Sequence, residues 1–269
     1  MNGLPPLRDV IKRFDLGARK SLGQHFLLDL NLCARIARAA GNLNGANVIE
    51  IGPGPGGLTR ALLDAGAARV VAVEHDSRCV AALAELQDGY PDRLEIIEAD
   101  ALEIDVAALV PAPRRIVANL PYNIATPLLL GWLHRITAFD GLTLMFQKEV
   151  AERLTAAPGG KTYGRLSIIT QWLCEVRFEF NISKQAFTPP PKVASSLVSL
   201  IPRPVPLAPA EWASLEKVTA QAFGQRRKML RSSLKPLNLD FDALGIAPTA
   251  RAEELSVQQF CAIARACGK

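Results

Sequence analysis

Histidine is scarce in this chain: His25, His75 and His134 are all there are in 269 residues, and no two stand at a metal-ligand spacing. The five cysteines (Cys33, Cys79, Cys174, Cys261 and Cys267) are odd in number, widely spread and without a Cys-x-x-Cys pair. A disulfide framework and a zinc ribbon are therefore excluded, and free buried thiols in a reducing compartment are expected. No apolar run is long enough to cross a bilayer. The first twenty residues carry Arg8, Lys12, Arg13, Arg19 and Lys20 but lack the apolar core of a secretion signal. A cytoplasmic protein with no membrane partner and no metal is expected. Internal repeats and low-complexity tracts are also missing.

What is present is a composition suited to a full core, 49% hydrophobic and 21% charged. The formal net charge is +5, which favours a polyanionic partner. Its distribution says more. From Ile201 to Lys269 there are ten Lys and Arg against six Asp and Glu, so the C-terminal quarter is the basic part.

Along the chain, a basic arm to Lys20 reads as a solvated tail or a nucleic-acid contact. Ser21 to Leu28 is a loop, and Asp29 caps a helix that ends near Gly41. Ala46 to Ile51 is a strand, followed at once by Gly52-Pro53-Gly54-Pro55-Gly56-Gly57 and a helix from Leu58 to about Ala65. Strand, glycine loop and helix open a nucleotide-type α/β fold. A second strand ends at Glu74, placed to accept hydrogen bonds from both hydroxyls of a ribose. Ser77 caps the next helix, and a third strand ends at Asp100, which either meets an adenine amine or caps a helix from Leu102. The fourth strand, Arg115 to Ala118, delivers Asn119-Leu120-Pro121-Tyr122 to the carboxyl edge of the sheet, where ligands bind. Thr126-Pro127 starts a helix to about His134. A fifth strand, a charged helix and a loop from Ala156 to Gly164, mobile by composition, follow. Glu175 to Phe180 and Ser196 to Ile201 read as a hairpin at the edge of the otherwise parallel sheet.

Pro202, Pro204, Pro206 and Pro209 mark the domain boundary. An α/β domain over 1–201 and a small helical domain over 202–269 are expected. In the latter, Arg226, Arg227, Lys228, Arg231 and Lys235 form the densest basic cluster, read as a phosphate-contacting face rather than a merely solvated one.

The glycines formally fit G-x-G-x-x-G, so a dinucleotide must be weighed. Pro53 and Pro55, however, stiffen the loop where a pyrophosphate needs donated N–H groups. S-adenosylmethionine has no phosphate, and its cationic groups suit acidic strand ends such as Glu50.

Taken together, Ser21–Leu27 (SLGQHFL), Glu50–Gly57 (EIGPGPGG), Glu74, Asp100, Asn119–Tyr122 (NLPY), Phe187–Val193 (FTPPPKV) and Gln225–Lys235 (QRRKMLRSSLK) closely resemble the bacterial ribosomal RNA adenine N6-dimethyltransferases, over nearly the whole chain. The resemblance implies a Rossmann-like S-adenosylmethionine-dependent methyltransferase sheet with an all-α C-terminal domain. It implies action on two adjacent adenosines near the 3′ end of small-subunit ribosomal RNA, on the assembling subunit, as a monomer. His25, Leu27, Gly52, Gly54, Glu74, Asp100, Ala101 and Asn119 would then hold the cofactor. His25 stands where some relatives have Asn.

An adenine N6 amine is a poor nucleophile because its lone pair is delocalised into the ring. The Asn119 side-chain oxygen and the Leu120 carbonyl, held rigid by Pro121, would accept its protons, and Tyr122 and Phe187 would stack on the base from either side. Competing expectations are the sister group that methylates large-subunit RNA, against which the extended C-terminal part argues, a non-catalytic assembly factor, and a nicotinamide dehydrogenase.

Overall fold

The computed structural model describes residues 4–19 and 22–267; Lys20 and Ser21, which belong to the expected basic arm and SLGQHFL motif, lie outside them, as do residues 1–3, 268 and 269. In chain order the elements are α1 (Leu7–Arg13), β1 (Phe26–Leu27), α2 (Leu30–Ala39), β2 (Asn47–Ile51), α3 (Gly57–Asp64), β3 (Arg69–Glu74), α4 (Ser77–Asp88), β4 (Leu94–Glu98) and β5 (Arg114–Asn119). They continue with α5 (Tyr122–Leu133), β6 (Gly141–Gln147), α6 (Lys148–Leu154), α7 (Arg165–Leu173), β7 (Cys174–Ile182), β8 (Phe187–Thr188), β9 (Ser195–Pro202), α8 (Trp212–Gly224), α9 (Leu230–Ser233) and α10 (Val257–Cys267).

The large sheet runs in the order β4-β3-β2-β5-β6-β9-β7. Strands β4 to β6 are parallel, and β9 joins β6 antiparallel. Strands covered on both faces read as unbroken apolar runs, and Val48, Ile49, Val70, Val71, Ile116 and Val117 are completely buried here. Because the chain goes from β2 outward to β4 and returns to β5, the switch point lies between β2 and β5. The carboxyl ends part at that point, leaving a crevice. The expected class, a mostly parallel Rossmann-like sheet with an antiparallel edge, is the observed one.

The chain separates into two compact units, one of Met1–Lys148 with Arg177–Ile201, the other of Glu149–Val176 with Pro202–Lys269. The proline-marked boundary after Ile201 is present, but the second unit also takes in 149–176. Its core explains this: the Trp172 indole N–H donates to the Ala208 carbonyl and its ring lies 6.2 Å from that of Trp212. The loop expected to be mobile is tied into the same unit, since the Gly159 N–H donates to the Glu253 carbonyl.

Four local expectations are corrected. The N-terminal arm is no solvated tail: Leu7, Val10 and Leu16 are buried, and Val10 and Leu16 cluster with Phe26, Cys79 and Ala82. Helix α4 is capped by Asp76, whose carboxylate accepts the Arg78 N–H, rather than by Ser77. Helix α5 begins at Tyr122, because Pro121 at φ −56° presets the backbone and its carbonyl accepts the Ile124 and Ala125 N–H groups. Pro127 therefore sits inside α5 and interrupts a main-chain bond instead of opening the helix. Finally, Phe26–Leu27 and Phe187–Thr188 pair as a two-stranded antiparallel sheet that no local pattern announces.

The burial of Leu16 sets a stability test. Leu16→Ala is expected to destabilise the protein by about 2–5 kcal/mol in urea unfolding, the range for a large-to-small change in a core; a solvated arm would show no measurable change.

Candidate active site at the switch point

One cleft is lined by residues from Leu22–Leu27, the glycine loop, Glu74 and His75, Ala99–Ala101 and Asn119–Ile124. It gathers all of the cofactor candidates (His25, Leu27, Gly52, Gly54, Glu74, Asp100, Ala101 and Asn119), together with Leu120, Pro121 and Tyr122. Phe187 is not among its walls.

The glycine loop is shaped by crowding. A Cβ on Gly54 would stand 2.9 Å from the Phe26 ring, and one on Gly57 would stand 2.7 Å from the Leu27 carbonyl oxygen. The loop's donors are committed within the protein: the Gly52 N–H donates to the Val73 carbonyl, that of Gly56 to the Pro53 carbonyl, and that of Gly54 to Glu74 Oε2 at 3.0 Å. Pro53 and Pro55 have no N–H at all. This loop does not cradle a pyrophosphate, and the dinucleotide reading fails on that ground.

Glu74 is 6% exposed and accepts three main-chain N–H groups, those of Gly54, His75 and Asp76, at 2.9–3.0 Å. Burial pushes its carboxyl above the ordinary range, and the three N–H donors oppose that rise. A carboxylate has about four acceptor sites, so Glu74, which lines the cleft, retains acceptor capacity on Oε2.

Glu50, at the fourth position of β2, is a site residue that the expected cofactor set does not contain. It lines the cleft, is 1% exposed, and its Oε2 has no hydrogen-bond partner among the described residues. Burial pushes this carboxyl up to about 8, against a lowering contribution from Thr59 and with a further rise from Glu74. Burial is thus accommodated by keeping the carboxyl neutral below about 8, and a cation brought beside it would favour the charged form.

Across the crevice, the Asn119 side-chain N–H donates to the His25 carbonyl at 3.0 Å. With the amide nitrogen committed, its oxygen is left as the acceptor. The Tyr122 hydroxyl is 2.6 Å from Ser195 Oγ, and its ring lies 5.7 Å from the His25 ring at 31°. His25 Nδ1 lies 2.8 Å from the Pro189 carbonyl oxygen, which fixes the proton on Nδ1. Asp100 lines the cleft and accepts the Leu102 N–H at 2.9 Å, capping a turn where a helix from Leu102 is the alternative expectation.

Phe187 departs from its expected role. It is 2% exposed, pairs with Leu27 across the two-stranded sheet and belongs to the main core cluster. Its ring is taken up by packing and presents no face to a base in this structure.

In the second unit, Arg227, Lys228, Arg231 and Lys235 are exposed. Arg226 is not equivalent to them. Its guanidinium donates to the Lys161 and Gly160 carbonyls and lies 5.9 Å from the Phe223 ring, so it braces the 156–164 turn.

A Rossmann-like sheet with an acid at the end of β3, a buried acid with an unpaired oxygen at the glycine loop and an Asn-Leu-Pro-Tyr edge defines an S-adenosylmethionine-dependent methyltransferase, and the site fits that cofactor. Comparison narrows the class further. Residues 16–269 match the family model described as ribosomal RNA adenine dimethylase, and the chain belongs to that family. It is 65% identical to the ribosomal RNA small subunit methyltransferase A of Paramagnetospirillum magneticum, over 99% of this chain and 96% of that protein. It is 64% identical to the protein of the same name from Rhodospirillum rubrum, over 98% and 93%. Among solved structures it resembles a dimethyladenosine transferase from Plasmodium falciparum (TM-score 0.74, 28% identity, 89% of this chain and 96% of that one). It also resembles the 23S rRNA methyltransferase ErmE (TM-score 0.70, 28% identity, 91% and 100%). The two solved structures are equally distant in sequence, at 28% identity each, whereas the small-subunit relatives stand at 64–65%.

Glu50 generates a pH prediction. Its folded-state value of about 8 exceeds the ordinary 4.5, so the stability tied to this group is present below 4.5 and is lost as pH rises through about 8. In cofactor-free protein, Glu50→Gln is expected to flatten that decline and raise Tm above pH 8 relative to the native chain. The same change should weaken S-adenosylmethionine binding at high pH, read by calorimetry. Superimposable Tm-against-pH curves would remove Glu50 from this role.

Proposed function

We propose that this chain transfers methyl groups from S-adenosylmethionine to the N6 amines of two adjacent adenosines in the 3′-terminal hairpin loop of 16S ribosomal RNA, giving N6,N6-dimethyladenosine. The carrying observation is the Asn119 amide, pinned through its nitrogen to the His25 carbonyl in the cleft that also holds Glu74. The cofactor supplies an electrophilic methyl group when bound. Glu74 is assigned to its ribose, Asp100 and Ala101 to its adenine, and His25, Leu27, Gly52, Gly54 and Glu50 to the walls around its methionine part.

At the substrate side, Asn119 Oδ1 and the Leu120 carbonyl accept the two protons of the amine. That favours a pyramidal nitrogen with its lone pair aimed at the methyl donor. Pro121 fixes the Leu120 carbonyl, and the Tyr122 ring, anchored at its hydroxyl by Ser195, offers one face to the base. Positioning and electrostatics supply most of the rate. A strong general base is unnecessary, because the amine proton becomes acidic once the nitrogen has gained carbon. After one transfer a single N–H remains, so one acceptor is satisfied and the slot must admit a methyl group.

Exposed Arg227, Lys228, Arg231 and Lys235 are assigned to RNA phosphates, and Arg226 to bracing. The net charge of +5 supports that partner. The names of the relatives support the small subunit as the destination. Among the described residues no helix is long and apolar enough to cross a membrane. Action in the cytoplasm as a monomer, on an assembling subunit, is part of this reading.

The deciding assay supplies labelled cofactor with unmodified small subunits and, in parallel, large subunits, with nucleoside mass spectrometry of the product. Dimethyladenosine on small subunits alone is expected; label on large subunits alone would overturn the assignment. Asn119→Ala should lower kcat by about 10²–10³-fold with cofactor affinity largely retained, and native turnover would remove Asn119 from the chemistry. Neutralising Arg227, Lys228, Arg231 and Lys235 together should make the dependence of log affinity on log salt shallower by roughly one unit per lost contact. Arg226→Ala should instead destabilise the fold by about 1–3 kcal/mol, seen in thermal unfolding.

A further inference from the structure

Outside the cleft wall, one guanidinium holds the N-terminal segment that forms part of it. We infer that Arg78 is a positioning residue for the cofactor: it fastens Asp15–Arg19 and Gln24 to the end of β3 and thereby sets cofactor affinity without touching the cofactor. This rests on the S-adenosylmethionine reading of the cleft.

Arg78 is the second residue of α4 and does not line the cleft. Its Nε donates to Asp76 Oδ1 at 3.1 Å and its Nη2 to Asp76 Oδ2 at 2.7 Å, a two-pronged grip. The remaining reach of the same fork goes to the N-terminal segment, Nη1 to the Asp15 carbonyl at 2.8 Å and Nη2 to the Gly17 carbonyl at 3.3 Å. Asp76, whose side chain is fully covered, also accepts Gln24 Nε2 at 3.0 Å. Gln24 Oε1 in turn accepts the Arg19 N–H at 2.9 Å, and the Asp76 N–H donates to Glu74. A chain of hydrogen bonds therefore runs from Glu74 through Asp76 and Gln24 to Arg19, and Arg78 joins it at Asp76 and ties it to the Asp15 and Gly17 carbonyls.

Two observations separate this from a solvated surface pair. The Arg78 guanidinium holds the Asp76 carboxyl down near 2, well below the usual carboxylate range, with help from Gln24. Asp15 has φ 48°, a left-handed backbone that a non-glycine residue keeps only where its surroundings impose it. The Schellman cap of α1 sets that backbone, with the Asp15 N–H on the Lys12 carbonyl and the Leu16 N–H on the Ile11 carbonyl, and it leaves the Asp15 carbonyl turned to Arg78. Lysine lacks the planar fork and cannot serve Asp76 and two carbonyls at once.

The test uses the full chain with Arg78→Leu and Arg78→Lys, and S-adenosylhomocysteine as the calorimetric probe. Leu7, Val10 and Leu16, the buried apolar anchors of this segment, are untouched by either substitution, so the fold is expected to persist. Arg78→Leu is expected to raise the dissociation constant about tenfold, to raise KM for the methyl donor, and to leave kcat at saturation unchanged. In cofactor-free protein, amide exchange should accelerate in 15–19 and 22–27 and not in β2, β3 or β5. Arg78→Lys, which keeps the charge beside Asp76 but loses the carbonyl bonds, should show the same exchange pattern. An unchanged dissociation constant in Arg78→Leu, a fall in kcat with no change in binding, or full rescue by lysine would each overturn the inference. Should the native chain itself fail to bind the probe, the cofactor reading fails instead, which keeps the two failures distinct.

Discussion

A buried carboxylate that must be satisfied by main-chain donors governs the geometry of this molecule. Glu74 ends β3, yet the N–H groups that hold it come from the loop after β2 and from the turn into α4. Meeting that demand draws Gly54 in toward β3, which requires a residue without a side chain beneath Phe26. The turn at His75 and Asp76 is fixed by the same oxygen atoms, and so is the start of α4. Loop, turn and helix start all take their positions from one acid.

Much of this could be read from the sequence because it is local or nearly so. A glycine loop after an apolar strand, an acid one crossover later and an Asn-Pro pair at a further strand end are short-range signals, and parallel strands bring their ends together automatically. What escaped depends on where side chains are committed across long separations. Phe187 carries a base-stacking chemistry, but its pairing with Leu27 places it in the core. Arg226 has the same charge as its neighbours, but two carbonyls more than sixty residues away take its donors. The N-terminal arm reads as basic by composition, while Leu7, Val10 and Leu16 decide its fate by burial. Glu50 was visible as a letter, not as a buried acid with an orphaned oxygen.

Fold similarity and substrate identity separate clearly here. A 23S rRNA methyltransferase is covered from end to end at a TM-score of 0.70, almost as well as a dimethyladenosine transferase. Likeness of fold therefore does not by itself fix which RNA is the substrate.

The two-residue sheet has a consequence for how ligands act on one another. Phe26 and Leu27 belong to the cofactor wall, Phe187 and Thr188 lead into the prolines, and the His25 bond to the Pro189 carbonyl joins segments 164 residues apart. Rigidifying either strand rigidifies its partner. By thermodynamic reciprocity, any ligand that orders one of these strands favours every ligand that needs the other ordered, through four residues of backbone.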